Sequence, residues 1–424
     1  MNKRERIIGF ILILLSLVFG RFYLESDILF FRLVIGIGLG YTLTRGYSGF
    51  AGSINRSFRT GSTRLLRTMM FMFFITALMS TAVLFKHDPS KFDLWINPIN
   101  TGLLLGGILF GFGMAFSSCC ASGVLTDLVT GLPRAIITLI FFCFGVFIGF
   151  PIQNSQAWVN KSIISSPTGT KIGYGGIYLP DLFKFDGLEG YLGAMILTGC
   201  FCFLVVYISY KYESNRKKNN TYFGHASEEM QLVENNIGEF DTVKHSIFSE
   251  EMYKRIFVRS WTLKTAAIII AVIFTILMGV TKAGWGASTP YGLWFGKFLM
   301  LFGVSSKSLS NFTLMPDVAF SMPFFSHPIN VQNFGIVVGT AMYLLTAGIF
   351  KQTFYSELKI NSKEALFYVL GGFSMGFGTR LSNGCNVGAL YTPIANFSLS
   401  GWIFLVFLAI GGILGNILAK KVNL

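Results

Sequence analysis

The apolar residues of this chain are gathered into long runs, and this limits the fold more than any other feature. Residues 188–210 carry one charge, Glu189, and residues 265–280 carry none. A helix needs about 20 mainly apolar residues to cross a bilayer. Inside the bilayer each backbone N–H and C=O must find its partner within the protein. The runs therefore specify an all-α integral membrane protein, a polytopic helical bundle. Composition agrees: 13% of the residues are charged, against about a quarter in a soluble domain.

Eleven helical segments follow from the runs and their breaks: 7–20, 28–44, 65–85, 101–118, 135–150, 188–210, 263–280, 293–304, 333–350, 365–377 and 401–419. The first follows Lys3, Arg4 and Arg6, as in a signal peptide, but no small-x-small cleavage site comes after it. The net charge of +14 excites no case for nucleic acid. Lys and Arg cluster at 45–67 and 211–264, the pattern of cytoplasmic loops in membrane proteins. Both termini are placed in the cytoplasm on the same ground, with Lys420 and Lys421 at the far end. Eleven crossings would put the C-terminus outside, so one segment must be re-entrant, and 293–304 is the shortest.

The one polar break divides the chain into a first membrane repeat (1–210), a cytosolic linker (211–262) and a second membrane repeat (263–424). The linker holds Lys217, Lys218, Glu228, Glu229, Glu234, Glu239 and Asp241. It reads as a connector with a helix or two on the membrane surface, and a docking site for a cytosolic partner is the sharper alternative.

Six cysteines are present, at 119, 120, 143, 200, 202 and 385. None forms a CxxC pair and His is scarce, so no structural metal site is expected, and no cofactor. Cys143, Cys200 and Cys202 lie in apolar helices and read as small core residues.

The halves share a motif. Residues 105–125 read LGGILFGFGMAFSSCCASGVL and residues 370–390 read LGGFSMGFGTRLSNGCNVGAL. Without a gap, Leu105, Gly106, Gly107, Gly111, Phe112, Gly113, Ser117, Cys120, Gly123 and Leu125 recur in register in the second copy. Close packing of membrane helices explains recurrent glycines, but not the matched Ser, Cys, Gly and Leu. This is an internal duplication. The charge-based topology brings 101–118 to its motif from outside and 365–377 from inside. That is an inverted repeat, the plan in which discontinuous helices hold substrate near the midplane.

Each motif is a helix, a Ser/Asn/Cys/Gly break and a further helix. Ser400 is placed as an N-cap after the second break. Freed N–H groups and helix N-termini favour an anion, and Ser117, Ser118, Ser382, Asn383 and Asn386 add hydrogen-bonding groups. A thiol at the centre is a weak donor with a soft sulfur, suited to a ligand containing sulfur or selenium. The candidate substrate-binding residues are Cys120, Cys385, Cys119, Ser117, Gly123, Ser382, Asn383, Gly384, Asn386, Gly388 and Arg380. Asp127, Asp317 and Arg380 are rare charges within the expected membrane zone and hint at function; Arg380 either attracts an anion or snorkels.

RLSNGCNVGALYTPIANFSLSGWIF at 380–404 and GGILFGFGMAFSSCCASGVL at 106–125 resemble the YeeE/YedE family of sulfur transport proteins. The resemblance implies thiosulfate uptake across the bacterial inner membrane, and an hourglass-like helical pore with inverted halves and short helices. It also implies cysteines at the constriction, here Cys120 and Cys385, that touch the ion through S–H···S hydrogen bonds. Two departures stand out. Cys119 occupies a position where the family has Gly. The stretch RGYSGFAGS at 45–53 places Gly49 where the family has an early cysteine.

The expected function is a transporter or permease for thiosulfate or a similar small sulfur anion. The alternatives are a transporter of a selenium compound and a membrane thiol sulfur-relay protein; the latter needs a thiolate near a base or cation, and no His lies near either motif. No GxxxxGK[ST] occurs, so no ATP-driven enzyme is expected. Lipid surrounds the chain, and a cytosolic sulfur-carrier or sulfurtransferase protein is a candidate recipient of the imported ion.

Overall fold

The computed structural model describes residues 3–173, 175–236 and 249–422. Glu239 and Asp241 of the linker lie outside the described residues. All eleven expected segments are helical. Eight helices are long and apolar enough to cross a membrane. They are α1 (Lys3–Tyr23), α2 (Asp27–Arg45), α4 (Arg64–Leu84), α7 (Leu132–Ser155), α8 (Tyr191–Lys218), α10 (Leu263–Thr281), α12 (Pro328–Ala347) and α14 (Leu399–Lys421). Among the helices between them are α3 (Gly52–Thr60), α5 (Thr101–Ser117), α6 (Gly123–Thr130), α9 (Ala226–Asn236), α11 (Thr289–Met300) and α13 (Ser362–Leu381). Among the described residues there is no strand, only isolated bridges such as Tyr178 with Ser398.

Local chemistry sets the starts. The Asn100 side chain accepts from Leu103 N and caps α5. Asn361 and Glu364 form a reciprocal capping box on α13. Ser400 lies inside α14 and Ser398 takes the N-cap position, because the chain is already helical from Leu399.

The helices pair in exchanged couples. α2 packs on α12 and α4 on α10; α5 packs on α14 and α7 on α13; α5 and α13 cross each other at the centre. Glycine makes that crossing close. A Cβ on Gly106 would lie 2.7 Å from the Gly378 carbonyl oxygen, and one on Gly378 would lie 2.9 Å from that of Gly106. The same exchange relates Gly113 and Gly371, at 2.5 and 2.8 Å. As the numbers rise along α5 they fall along α13, so the two motif helices run antiparallel. Lipid supplies no hydrophobic drive between membrane helices, and such close backbone contact is what holds them.

One apolar core runs through the bundle and contains Cys119, Cys120 and Cys385. Cys143 and Cys202 are buried as expected, but Cys200 is exposed. The buried side of α8 carries Ala194, Thr198 and Cys202, a four-residue spacing that keeps one helix face inward. Cys200 sits between two of these and points away.

Candidate functional site

The duplicated motif forms the same turn twice. The Ser117 hydroxyl donates to the carbonyls of Gly113 (3.0 Å) and Cys119 (3.3 Å). The Ser382 hydroxyl donates to those of Gly378 (2.8 Å) and Gly384 (2.9 Å). Each hydroxyl is thus spent on ending its own helix. The next residue is left-handed in both copies, with φ 56° at Ser118 and at Asn383. Asn tolerates that region and Ser does so less readily. Asn383 accepts a hydrogen bond from Gln153 Nε2 at 2.5 Å through its Oδ1.

The turns deliver the two central thiols to the core. Cys120 is 1% exposed and Cys385 is fully buried, and both lie in the same apolar core. Both are free. The Cys120 sulfur accepts from Gly123 N at 3.4 Å and lies 3.5 Å from Ser122 Oγ. A third sulfur is nearby, since Asn386 Nδ2 donates to Met114 Sδ at 3.0 Å. Asn386 Oδ1 is buried with no hydrogen-bond partner. Tyr291 is fully buried and donates to the Ala121 carbonyl at 2.5 Å.

A vestibule of about 500 Å³ reaches Cys120. Its wall includes Cys119, Cys120, Gly123, Arg56, Arg59 and Arg134, but not Cys385. A Cβ on Gly49, which also lines it, would meet nothing within 4 Å. The charges on the wall are unequally balanced. Arg134 pairs with Asp127 and Glu357, each at 3.1 Å. Arg56 faces Glu228 at 3.6 Å. Among the described residues, Arg59 donates to neutral acceptors alone, Asn416 Oδ1 and the Ala115 carbonyl. His225, where the linker meets the wall, is pushed below the ordinary imidazole value by burial and by Arg56.

On the side of the second copy, Trp95 packs over the turn. Trp95 has φ 53°, and its ring covers Gly286 and Gly388, where a Cβ would collide with it. Its indole N–H is held by Asp93 Oδ2 at 2.7 Å. On this side too lies Arg380, 3% exposed, so it does not snorkel to a surface. Its guanidinium donates to Thr379 Oγ1, Gln153 Oε1 and Ser288 Oγ at 3.3, 3.2 and 3.4 Å, and it lies over the Phe150 ring. Among the described residues it makes no ion pair with a carboxylate. Asp317, by contrast, is exposed at a turn.

The structure therefore gathers Ser117, Cys119, Cys120 and Gly123 with Ser382, Asn383, Gly384, Cys385, Asn386 and Gly388 around one crossing. Gly384 and Gly388 are sterically required, because a Cβ on Gly384 would sit 2.6 Å from the Gly388 carbonyl carbon. Sequence reasoning missed Trp95, Tyr291, Arg59 and α3. A buried Tyr in a short helix carries no local signal. Arg59 has one, a cation in a segment whose neighbours are small and polar.

Comparison with known proteins places these features in context. The profile of the family described as Sulphur transport matches residues 45–414. The Probable transporter YedE of Escherichia coli strain K12 is 25% identical over 158 residues, 37% of this chain and 38% of that relative. Its Salmonella typhimurium counterpart is 26% identical over the same length. The chain thus spans well under half of these two relatives. The Thiosulfate transporter TsuA of Spirochaeta thermophila is 20% identical over 387 residues, 89% of this chain and 95% of that relative.

Proposed function

The chain belongs to the Sulphur transport family, and we propose that it moves thiosulfate or a similar small sulfur-containing anion past Cys385 and Cys120. The observation that supports this reading is the repeated turn on antiparallel, closely packed helices, which leaves a buried thiol from each half in the same core. A thiol donates weakly and its sulfur is polarizable. It can pass a soft sulfur terminus along without holding it as a metal or a strong cation would. Arg380, uncompensated by any described carboxylate, draws the anion inward, and the amides and hydroxyls of the turns replace its water.

Sidedness follows from charge. Basic residues favour the cytoplasm, so the vestibule opens inward, both termini are cytoplasmic, and the bilayer is the bacterial inner membrane. α5 then enters from outside and α13 from inside, as inverted repeats 1–210 and 263–424 around the linker, with α3 and α11 as short re-entrant helices. The closed Trp95 side faces outward, and the direction is uptake.

Thiosulfate uptake in cells lacking other routes tests this. Cys120→Ala and Cys385→Ala should each reduce uptake at least 10-fold at equal protein level. Full uptake by both variants would sink the mechanism. Stronger inhibition by a selenium anion than by unlabelled thiosulfate would move the substrate to the selenium compound.

A further inference from the structure

A second cavity, lined by neither Cys120 nor Cys385, lies on the outer surface of the bundle. It is a crevice of about 890 Å³ between α4, α8, the start of α10 and the linker helix α9. Its lower walls are apolar: Met70, Phe71 and Phe74 on α4 face Phe203 and Val206 on α8. Gly199 opens the gap, since a Cβ there would already touch Phe74 at 3.2 Å. Phe203 is 72% exposed, as a side chain bordering lipid would be.

The upper rim is cationic and carries Arg64, Arg67 and Lys264. Among the described residues, Arg64 and Lys264 form no ion pair with a carboxylate. Arg67 pairs with Glu213 at 3.2 Å and lies over Tyr210, but its Nη1 is buried with no hydrogen-bond partner. The one carboxylate on the wall, Glu228, is turned away toward Ser62 Oγ (2.5 Å) and Arg56. The placement of the cations is unusual. Arg64 and Arg67 lie in the first turn of α4 and Lys264 in the first turn of α10. Helix N-termini carry partial positive charge and favour anions, so the sequence puts like charge where the helices want the opposite. Glu213 already offsets part of it at α4, accepting from Thr63 N at 3.1 Å and pairing with Arg67; Arg64 and Lys264 have no such carboxylate among the described residues, and an anion bound between them completes the compensation.

The crevice runs from Arg64 to Phe74 along α4, which at 1.5 Å per residue is about 15 Å. That is half of a hydrocarbon core roughly 30 Å thick, the depth of one leaflet. We propose that this crevice binds an anionic phospholipid, its phosphate on Arg64, Arg67 and Lys264 and one acyl chain between α4 and α8. Bound there, the lipid also lies against Leu232 of α9, so it ties the linker helix to the membrane bundle.

Native mass spectrometry of the full chain, titrated with dioleoyl phosphatidylglycerol, dioleoyl phosphatidylcholine or glycerol phosphate, tests the proposal. Wild type should retain the anionic lipid at least 10-fold more tightly than the zwitterionic one and should not retain glycerol phosphate. Lys264→Gln changes an exposed side chain and leaves folding untouched. It should reduce the preference about 3-fold, and Arg64→Gln with Lys264→Gln should reduce it below 2-fold. Gly199→Leu fills the chain slot and should weaken both lipids. Equal retention of the two lipids by wild type, or an unchanged preference in Lys264→Gln, overturns the proposal. Retention of glycerol phosphate together with no effect of Gly199→Leu makes the rim a free-anion site and overturns it equally.

Discussion

Replacing Arg380 with Met should separate stability from transport. The guanidinium is buried, and its acceptors are neutral and lie at 3.2 to 3.4 Å, long for N–H···O bonds. A buried cation so held is a burden on the fold, and a hydrophobic side chain of similar volume is often neutral or stabilising. The same charge acts favourably on a passing anion. At about 5 Å and an effective dielectric constant of about 20, the attraction is roughly 3 kcal/mol, or about 100-fold in apparent affinity. Thiosulfate uptake by Arg380→Met should therefore half-saturate at about 100-fold higher concentration, while the thermal unfolding midpoint stays level or rises. Arg380→Lys keeps the charge and should stay within about 10-fold of wild type. Uptake by Arg380→Met that matches wild type well below half-saturation would refute the reasoning. A large loss of stability without loss of affinity would show instead that Arg380 is structural.

Other outcomes follow from the packing. Gly106→Ala and Gly378→Ala each push a methyl into the partner backbone and should cost roughly 1–3 kcal/mol, read as a lowered unfolding midpoint; Gly123→Ala, whose Cβ would meet Cys120 Sγ at an ordinary 3.5 Å, should not. Gly49→Cys should fold normally and react quickly with a water-soluble maleimide, while Cys385 stays unreactive until Trp95→Ala uncovers it. Arg134→Gln leaves Asp127 unpaired at the vestibule wall and should destabilise by roughly 3 kcal/mol; adding Asp127→Asn should restore most of that loss in the same melting experiment.

The duplicated motif was legible in the sequence because its chemistry is local. A Ser that bonds back to its own helix, and a break after it, depend on a few neighbouring residues, and both copies preserve them. Helix existence was legible for the same reason, since apolar runs need no knowledge of partners. What lies around the thiols was not legible. α3 reads GSINRSFRT and resembles a polar loop; it is a helix because it packs beside α4 and α14 and gives its Arg side chains to the vestibule. Trp95 sits in a loop with φ above zero, and only the returning glycines at 286 and 388 explain it. Cys200 went astray because an apolar run does not reveal which face of a lipid-bordering helix turns inward.

Among the positions where the two copies differ, the residue before the central cysteine goes with a difference in local structure. In the second copy Gly384 lets the chain fold tightly onto Gly388, and the next residues, Asn386–Tyr391, form a wide π turn that is wholly buried. Trp95 closes over that turn. In the first copy Cys119 stands in place of Gly384, and a regular helix begins at Gly123, where a Cβ would meet only ordinary contacts. No ring covers Gly123, which lines the vestibule instead. The same turn therefore lines the vestibule on the Cys120 side and is packed under Trp95 on the Cys385 side. On the proposed route, an anion at Cys120 faces the vestibule, and Trp95 stands on the Cys385 side. If that route is used, Trp95→Ala or Asp93→Asn should raise the uptake rate in the assay above, and an unchanged rate in both would place the barrier at the thiols instead.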